Sequence, residues 1–201
     1  MDDAEQQPPR NFALMAAAFE GGLAVLAVGL GWLLGLKPLE SFHWDMSAVG
    51  MGVTATLPLL LIFWLCLKAP LRPFRQILRV LDESVLPLFR QCSMLELLII
   101  STLAGLGEEM LFRGIVQGGI ADWLARPAGI WIGLAAAAIL FGAVHAITPA
   151  YAILAGLIGL YLGGLWILTG NLLAPISTHA VYDFLALAYL IKMRKPDTDS
   201  P

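Results

Sequence analysis

Eight ionisable side chains stand in the apolar stretches of this sequence: Glu20, Glu96, Glu108, Glu109, Arg113, His145, His179 and Asp183. Their types and spacing suggest chemistry. Glu109 and Arg113 are four apart, so on a helix they share a face and pair in the favourable Glu-then-Arg order. Glu108 lies about 100° round the helix from Glu109, given about 3.6 residues per turn, which leaves it as the carboxylate free to take a proton from water. An ion-paired helix staple is the plainer reading of the trio, but a staple does not need the second glutamate. His145 follows Phe141 by one helical turn, and alone it reads as a satisfied core histidine. His179 and Asp183, also four apart, change that reading, because Asp183 can accept a hydrogen bond from His179 and fix its tautomer. Three separate segments thus offer polar groups to one centre.

The elements that must position these groups are membrane helices. Hydrophobic residues make up 59% of the 201-residue chain and charged residues 13%, against about 25% in ordinary globular chains. This composition excludes a soluble enzyme, a disordered chain and a disulfide-stapled secreted module. Net charge is −3 with no basic arm, which excludes nucleic acid as a partner. A span needs about 20 mostly apolar residues, and six segments qualify: 12–36, 46–67, 94–118, 129–147, 151–169 and 172–191. No alternating ten-residue pattern supports a barrel, so the fold class is all-α, a polytopic membrane helix bundle of about six transmembrane helices. Lys and Arg concentrate at Arg10, at Lys68 to Arg90 and at Lys192 to Lys195, with only Lys37 and Arg126 on the other side, which predicts both termini in the cytoplasm. All six tryptophans fall near predicted span ends.

The chain divides into a cytoplasmic tail over 1–11, two spans with a cytoplasmic amphipathic segment over 12–93, a core over 94–191 and a disordered tail over 192–201. Pro70 to Gln91 alternates Arg72, Arg75 and Arg79 with Phe74, Ile77, Leu78 and Leu81, which reads as a helix lying on the cytoplasmic leaflet or as a basic loop that sets topology. Cys66 and Cys92 lack C-x-x-C spacing and read as packing residues. Ala155, Gly159 and Gly163, and Gly114 with Gly118, are small-xxx-small spacings that allow close helix contact.

The order Glu108-Glu109-x-x-x-Arg113, then Phe141-x-x-x-His145, then His179-x-x-x-Asp183 resembles the CAAX-protease and bacteriocin-processing family of intramembrane proteases, also called CPBP or Abi. Phe112-Arg113-Gly114 and the stretch from Tyr161 to Ala180 belong to the same likeness, which covers 96–190. Asp183 stands where family members often carry Asn. The resemblance implies an integral membrane endopeptidase, in a prokaryotic cytoplasmic membrane, acting on a peptide or protein substrate such as a prenylated CAAX tail. It assigns Glu108 and His145 to polarising the attacking water, His179 and Asp183 to the oxyanion, and Glu109, Arg113 and Phe141 to support. A divalent metal is the equal alternative: Glu108, His145 and His179 offer the one-oxygen, two-nitrogen set of an open zinc site.

Simple spans do not bring these motifs to one depth, because Glu108 is 14 residues past Met94 while His145 is near its span's cytoplasmic end. A third span entering the hydrocarbon near Ile99, with Glu96 at the interface, and a Thr148-Pro149-Ala150 turn sunk into the protein would repair this. That arrangement predicts a cavity open to the cytoplasm. Two other functions compete: a non-catalytic membrane partner of immunity type, and an ion-coupled transporter. No paired halves or broken-helix repeats support the transporter, and Glu20 has no assigned role.

Overall fold

The computed structural model describes residues 11–124 and 127–194. The expected tails, with Arg10 and Lys195, lie mostly outside the described residues, as does Arg126. Everything regular among the described residues is helical: α1 (Phe12–Leu34), α2 (Met46–Lys68), α3 (Arg72–Val80), α4 (Leu86–Phe89), α5 (Met94–Glu109), α6 (Gly118–Trp123), α7 (Ala128–Val144), α8 (Pro149–Thr169) and α9 (Leu173–Ala188). Three π-helical stretches, Leu81–Val85, Met110–Gln117 and Tyr189–Met193, join or extend them.

Among the described residues four helical runs are long and apolar enough to cross a membrane: Phe12–Leu34, Met46–Lys68, Pro149–Thr169 and Leu173–Met193. The other two expected spans take different forms. The segment at 94–118 becomes a rod that runs on to Trp123, with its α-helical winding broken at Met110 by the π stretch. The segment at 129–147 is a 17-residue helix whose glycines and alanines suit it to packing on α8.

Local signals set the ends. Gly35 closes α1 in the left-handed conformation at φ 70°, open to glycine at no steric cost. Asp45 caps α2 by accepting from Ser47, and those hydrogen bonds hold its carboxyl below the usual range. Glu96, counted from sequence among the intramembrane carboxylates, belongs to a capping box: Ser93 accepts from the Glu96 backbone and Glu96 accepts from the Ser93 backbone. Its charge is thus committed to the start of α5.

The bundle packs α5 between α1 and α9, with α2 along α9 and α7 against α8. The first two helices, which matched no motif, therefore brace the segments that carry the motifs. Thr178 on α9 donates to the Gly52 carbonyl of α2 at 2.9 Å, a contact that needs a glycine because a Cβ there would meet the Ala174 carbonyl at 2.5 Å. Apolar residues of α3 to α4 turn inward, and Phe74, Ile77, Leu78 and Leu86 line a chamber of about 230 Å³ against α2 and α9. The amphipathic helix expected at Pro70 to Gln91 is therefore present, but its apolar face covers protein.

Candidate active site

Each of the three motifs arrives from its own helix. Glu108 and Glu109 close α5, Arg113 follows in the π stretch, His145 caps the C-terminus of α7, and His179 and Asp183 lie on α9. The structure brings all of them together. Glu108 Oε2 lies 3.7 Å from His145 Nε2, so the depth conflict expected from straight spans does not arise. Of the turn expected to sink into the protein, only Thr148 is buried; it caps α8 by accepting from Tyr151, while Pro149 is exposed.

Glu109 is wholly buried and serves two partners. Its Oε2 lies 3.0 Å from Arg113 Nε, as the spacing predicted, and its Oε1 lies 2.9 Å from His179 Nδ1. The second contact was not anticipated, since Asp183 was expected to orient His179. Asp183 Oδ2 does approach His179 Nε2, at 3.4 Å. The shorter hydrogen bond, and the one made by the more buried carboxylate, comes from Glu109.

His145 Nδ1 lies 2.8 Å from the Phe141 carbonyl, which can only accept, so this nitrogen carries the proton. In the neutral ring Nε2 then presents a lone pair toward Glu108. Phe141 holds three of the groups at once: it stacks on His145 at 4.4 Å, meets the edge of His179 at 5.9 Å and lies under the Arg113 guanidinium at 5.2 Å. A cavity of about 100 Å³, lined by Phe141, His145, Tyr151, His179, Tyr182 and Asp183, opens between these side chains. Tyr151, Tyr182 and Asp183 also line the apolar chamber under α3 and α4, so the two spaces adjoin.

Sequence reasoning missed Gln117. It continues the Arg113 spacing by another four residues, and the pair reads α8 in register: Arg113 Nη2 donates to the Gly159 carbonyl at 3.0 Å and Gln117 Nε2 to that of Gly163 at 3.2 Å. The small-residue spacing of α8 admits these side chains. The repeat of buried polar residues at 109, 113 and 117 was the available signal.

The three-ligand metal set is not assembled. Among the described residues no group of three or more His, Cys, Asp or Glu side chains is placed to hold a metal ion. The physical reason is His179, whose two ring nitrogens are turned to Glu109 and Asp183 instead of converging with Glu108 and His145. The donors present therefore do not fit the expected zinc site.

Residues 90–185 match the family model for type II CAAX prenyl endopeptidases, Rce1-like. The segment is Rce1-like. The match takes in the whole site and agrees with the resemblance carried by the three motifs. Nothing among curated proteins or solved structures matches the chain. The matched model is one of membrane proteases, and among the described residues four helices are long and apolar enough to cross a membrane.

Proposed function

We propose that the protein is an intramembrane endopeptidase of CAAX-protease type that hydrolyses its substrate with a water activated by Glu108 and His145. The observation that carries this reading is the facing pair Glu108 Oε2 and His145 Nε2 at 3.7 Å. That distance is too long for a direct hydrogen bond, and both atoms accept. A water donating one hydrogen to each would sit between them with its oxygen lone pairs free for attack.

In the proposed reaction the water oxygen bonds to the scissile carbonyl carbon, and Glu108 takes the proton released. His179, its Nδ1 held by Glu109 at 2.9 Å, gives its Nε2 hydrogen, which Asp183 engages only loosely at 3.4 Å, to the developing oxyanion. Collapse breaks the C–N bond, and the proton on Glu108 passes to the leaving amine, giving a carboxylic acid and an amine, between which the last proton is free to pass. Glu109 and Arg113 keep His179 in place, and Phe141 fixes the plane of His145. No step requires a metal.

The finer reading includes six spans with both termini in the cytoplasm, the rod of α5 to α6 and the shorter α7 crossing with the four longer helices. Residues 94–191 form the catalytic core, and 12–93 supply the brace and the amphipathic segment. A prenylated CAAX tail is the proposed substrate, with a prokaryotic cytoplasmic membrane as the setting. The apolar chamber beside Asp183 supports a substrate bearing a large hydrophobic group.

The test is cleavage of a quenched-fluorescence CAAX-type peptide in liposomes, with a library of membrane peptides alongside. Wild type is expected to cleave, and Glu108→Ala and His145→Ala to lose 10²-fold or more, on the order expected for a general base. Cleavage that persists unchanged in both variants would refute the assignment.

A further inference from the structure

Glu20 is the one ionisable residue of α1, and it lies outside the segment that matches the protease family. Its helix packs through a face of small residues. Ala13, Ala16 and Ala17 meet the cluster that contains Ile100 and Phe184, while Ala24 and Ala27 meet the cluster of Met110 and Ile176. Glu20 falls on the same face, three or four residues from Ala16, Ala17 and Ala24. Its level is therefore the one between Ile176 and Phe184 on α9, which holds His179 and Asp183, and the one between Ile100 on α5 and Met110 at the start of the π stretch, which holds Glu108.

Backbone contact fixes this level. A Cβ on Gly107 would stand 2.4 Å from the Glu20 carbonyl oxygen, so α1 and α5 touch one residue before Glu108. The Glu20 carboxyl is within electrostatic reach of Asp183, His179 and Glu108. Among the described residues its Oε2 is buried with no hydrogen-bond partner. An unpartnered carboxylate in the interior lowers stability, and a neutral or apolar side chain would serve packing better.

We infer that Glu20 is a positioning residue of the active site, its carboxyl setting from α1 the charge in which His179, Asp183 and Glu108 meet the substrate. The groups that face this region are Glu108, Glu109 and Arg113 from α5 and the π stretch, His145 from α7, and His179 and Asp183 from α9. Arg113 is the permanent cation among them, and Glu109 already holds it. A further acidic group at this level therefore changes the field around the remaining four without needing to touch the substrate. This inference rests on the endopeptidase reading.

The experiment compares wild type, Glu20→Gln, Glu20→Asp and Glu20→Leu for kcat, KM and thermal unfolding, with the peptide that wild type cleaves. Glu20→Gln is expected to lower kcat about tenfold, or ~1.4 kcal/mol of barrier, with KM within about twofold and the unfolding temperature unchanged or raised. Glu20→Asp should recover most of kcat, whereas Glu20→Leu should be at least as slow as Glu20→Gln and more thermostable than wild type. A structural residue would give the opposite pattern, with lost stability and no rescue by charge. Wild-type cleavage matched by Glu20→Gln and Glu20→Leu overturns the inference and leaves the reading of the site standing; a wild type that cleaves nothing overturns both.

Discussion

Glu109 on α5 holds His179 on α9 by its Nδ1 at 2.9 Å, although seventy residues separate them in sequence. The same carboxylate meets Arg113 through its other oxygen, so one buried group joins the fixed cation to the histidine. This makes Glu109 the hinge between stability and reactivity.

Glu109→Gln should therefore fail in two ways. Arg113 would be left as an uncompensated buried charge, with a loss of about 3–5 kcal/mol of stability. Adding Arg113→Leu should restore much of that loss in unfolding measurements while cleavage stays low, because His179 has still lost its carboxylate partner. Recovery of cleavage in the double variant would show that His179 does not depend on Glu109.

Phe141→Leu separates orientation from packing. The substitution keeps an apolar side chain, so the stability cost should be about 1.5 kcal/mol or less, yet it removes the ring that stacks on His145 at 4.4 Å. The expected outcome is a fall in kcat of about tenfold with KM little changed, on the order of ~1.4 kcal/mol of barrier. Equal turnover in both proteins would mean that the Phe141 carbonyl alone sets the His145 ring.

Gly163→Ala tests the register between the π stretch and α8. The new Cβ would lie 2.5 Å from Gln117 Oε1 and 2.5 Å from Leu134 Cδ1, so the ends of both side chains must move and the Gln117 hydrogen bond to the Gly163 carbonyl is disturbed, at a cost of about 1–3 kcal/mol. Gly164→Ala is the control, since among the described residues nothing stands within 4 Å of a Cβ added there. That neighbour should gain up to about 1 kcal/mol from helix propensity. Equal thermal shifts in the two variants would refute the register.

Chelation should leave cleavage unchanged. His179 directs its nitrogens to Glu109 and Asp183, so Glu108, His145 and His179 do not converge on one point. Loss of activity with a chelator, and its return with added zinc, would require the site to rearrange into a metal centre.

Much of the site was legible in the sequence because helical spacing is a local rule. Glu109 with Arg113, and His179 with Asp183, are i, i+4 pairs, and both form as their spacing predicts. The partnership of Glu109 with His179 was not legible, since it depends on how α5 and α9 lie side by side. The failure of the zinc set has the same origin: composition supplied three donors, but ring direction is decided by neighbours on other helices. Of the six apolar stretches expected, four stand among the described residues as helices long and apolar enough to cross a membrane, while the division of another at Met110 was not legible. Hydropathy measures how apolar a stretch is and carries no information on its winding. Glu20 stood out from sequence only as misplaced charge, and its level in the bundle followed from the alanines on either side of it.

The π stretch from Met110 to Gln117 begins immediately after the glutamate pair. A continuous α-helix would lock the direction of Gln117 to that of Glu108, because every residue adds the same rotation. With a wider winding between them, the two ends of the rod are indexed separately: one end aims carboxylates at α7 and α9, and the other aims its amide at α8. A one-residue deletion within 114–116, beyond Arg113, would then misalign Gln117 on α8 while sparing Glu108, Glu109 and Arg113, which precede it. Arg113, paired with Glu109 and bound to α8, is the one point through which the catalytic face and the anchoring face stay indexed to each other.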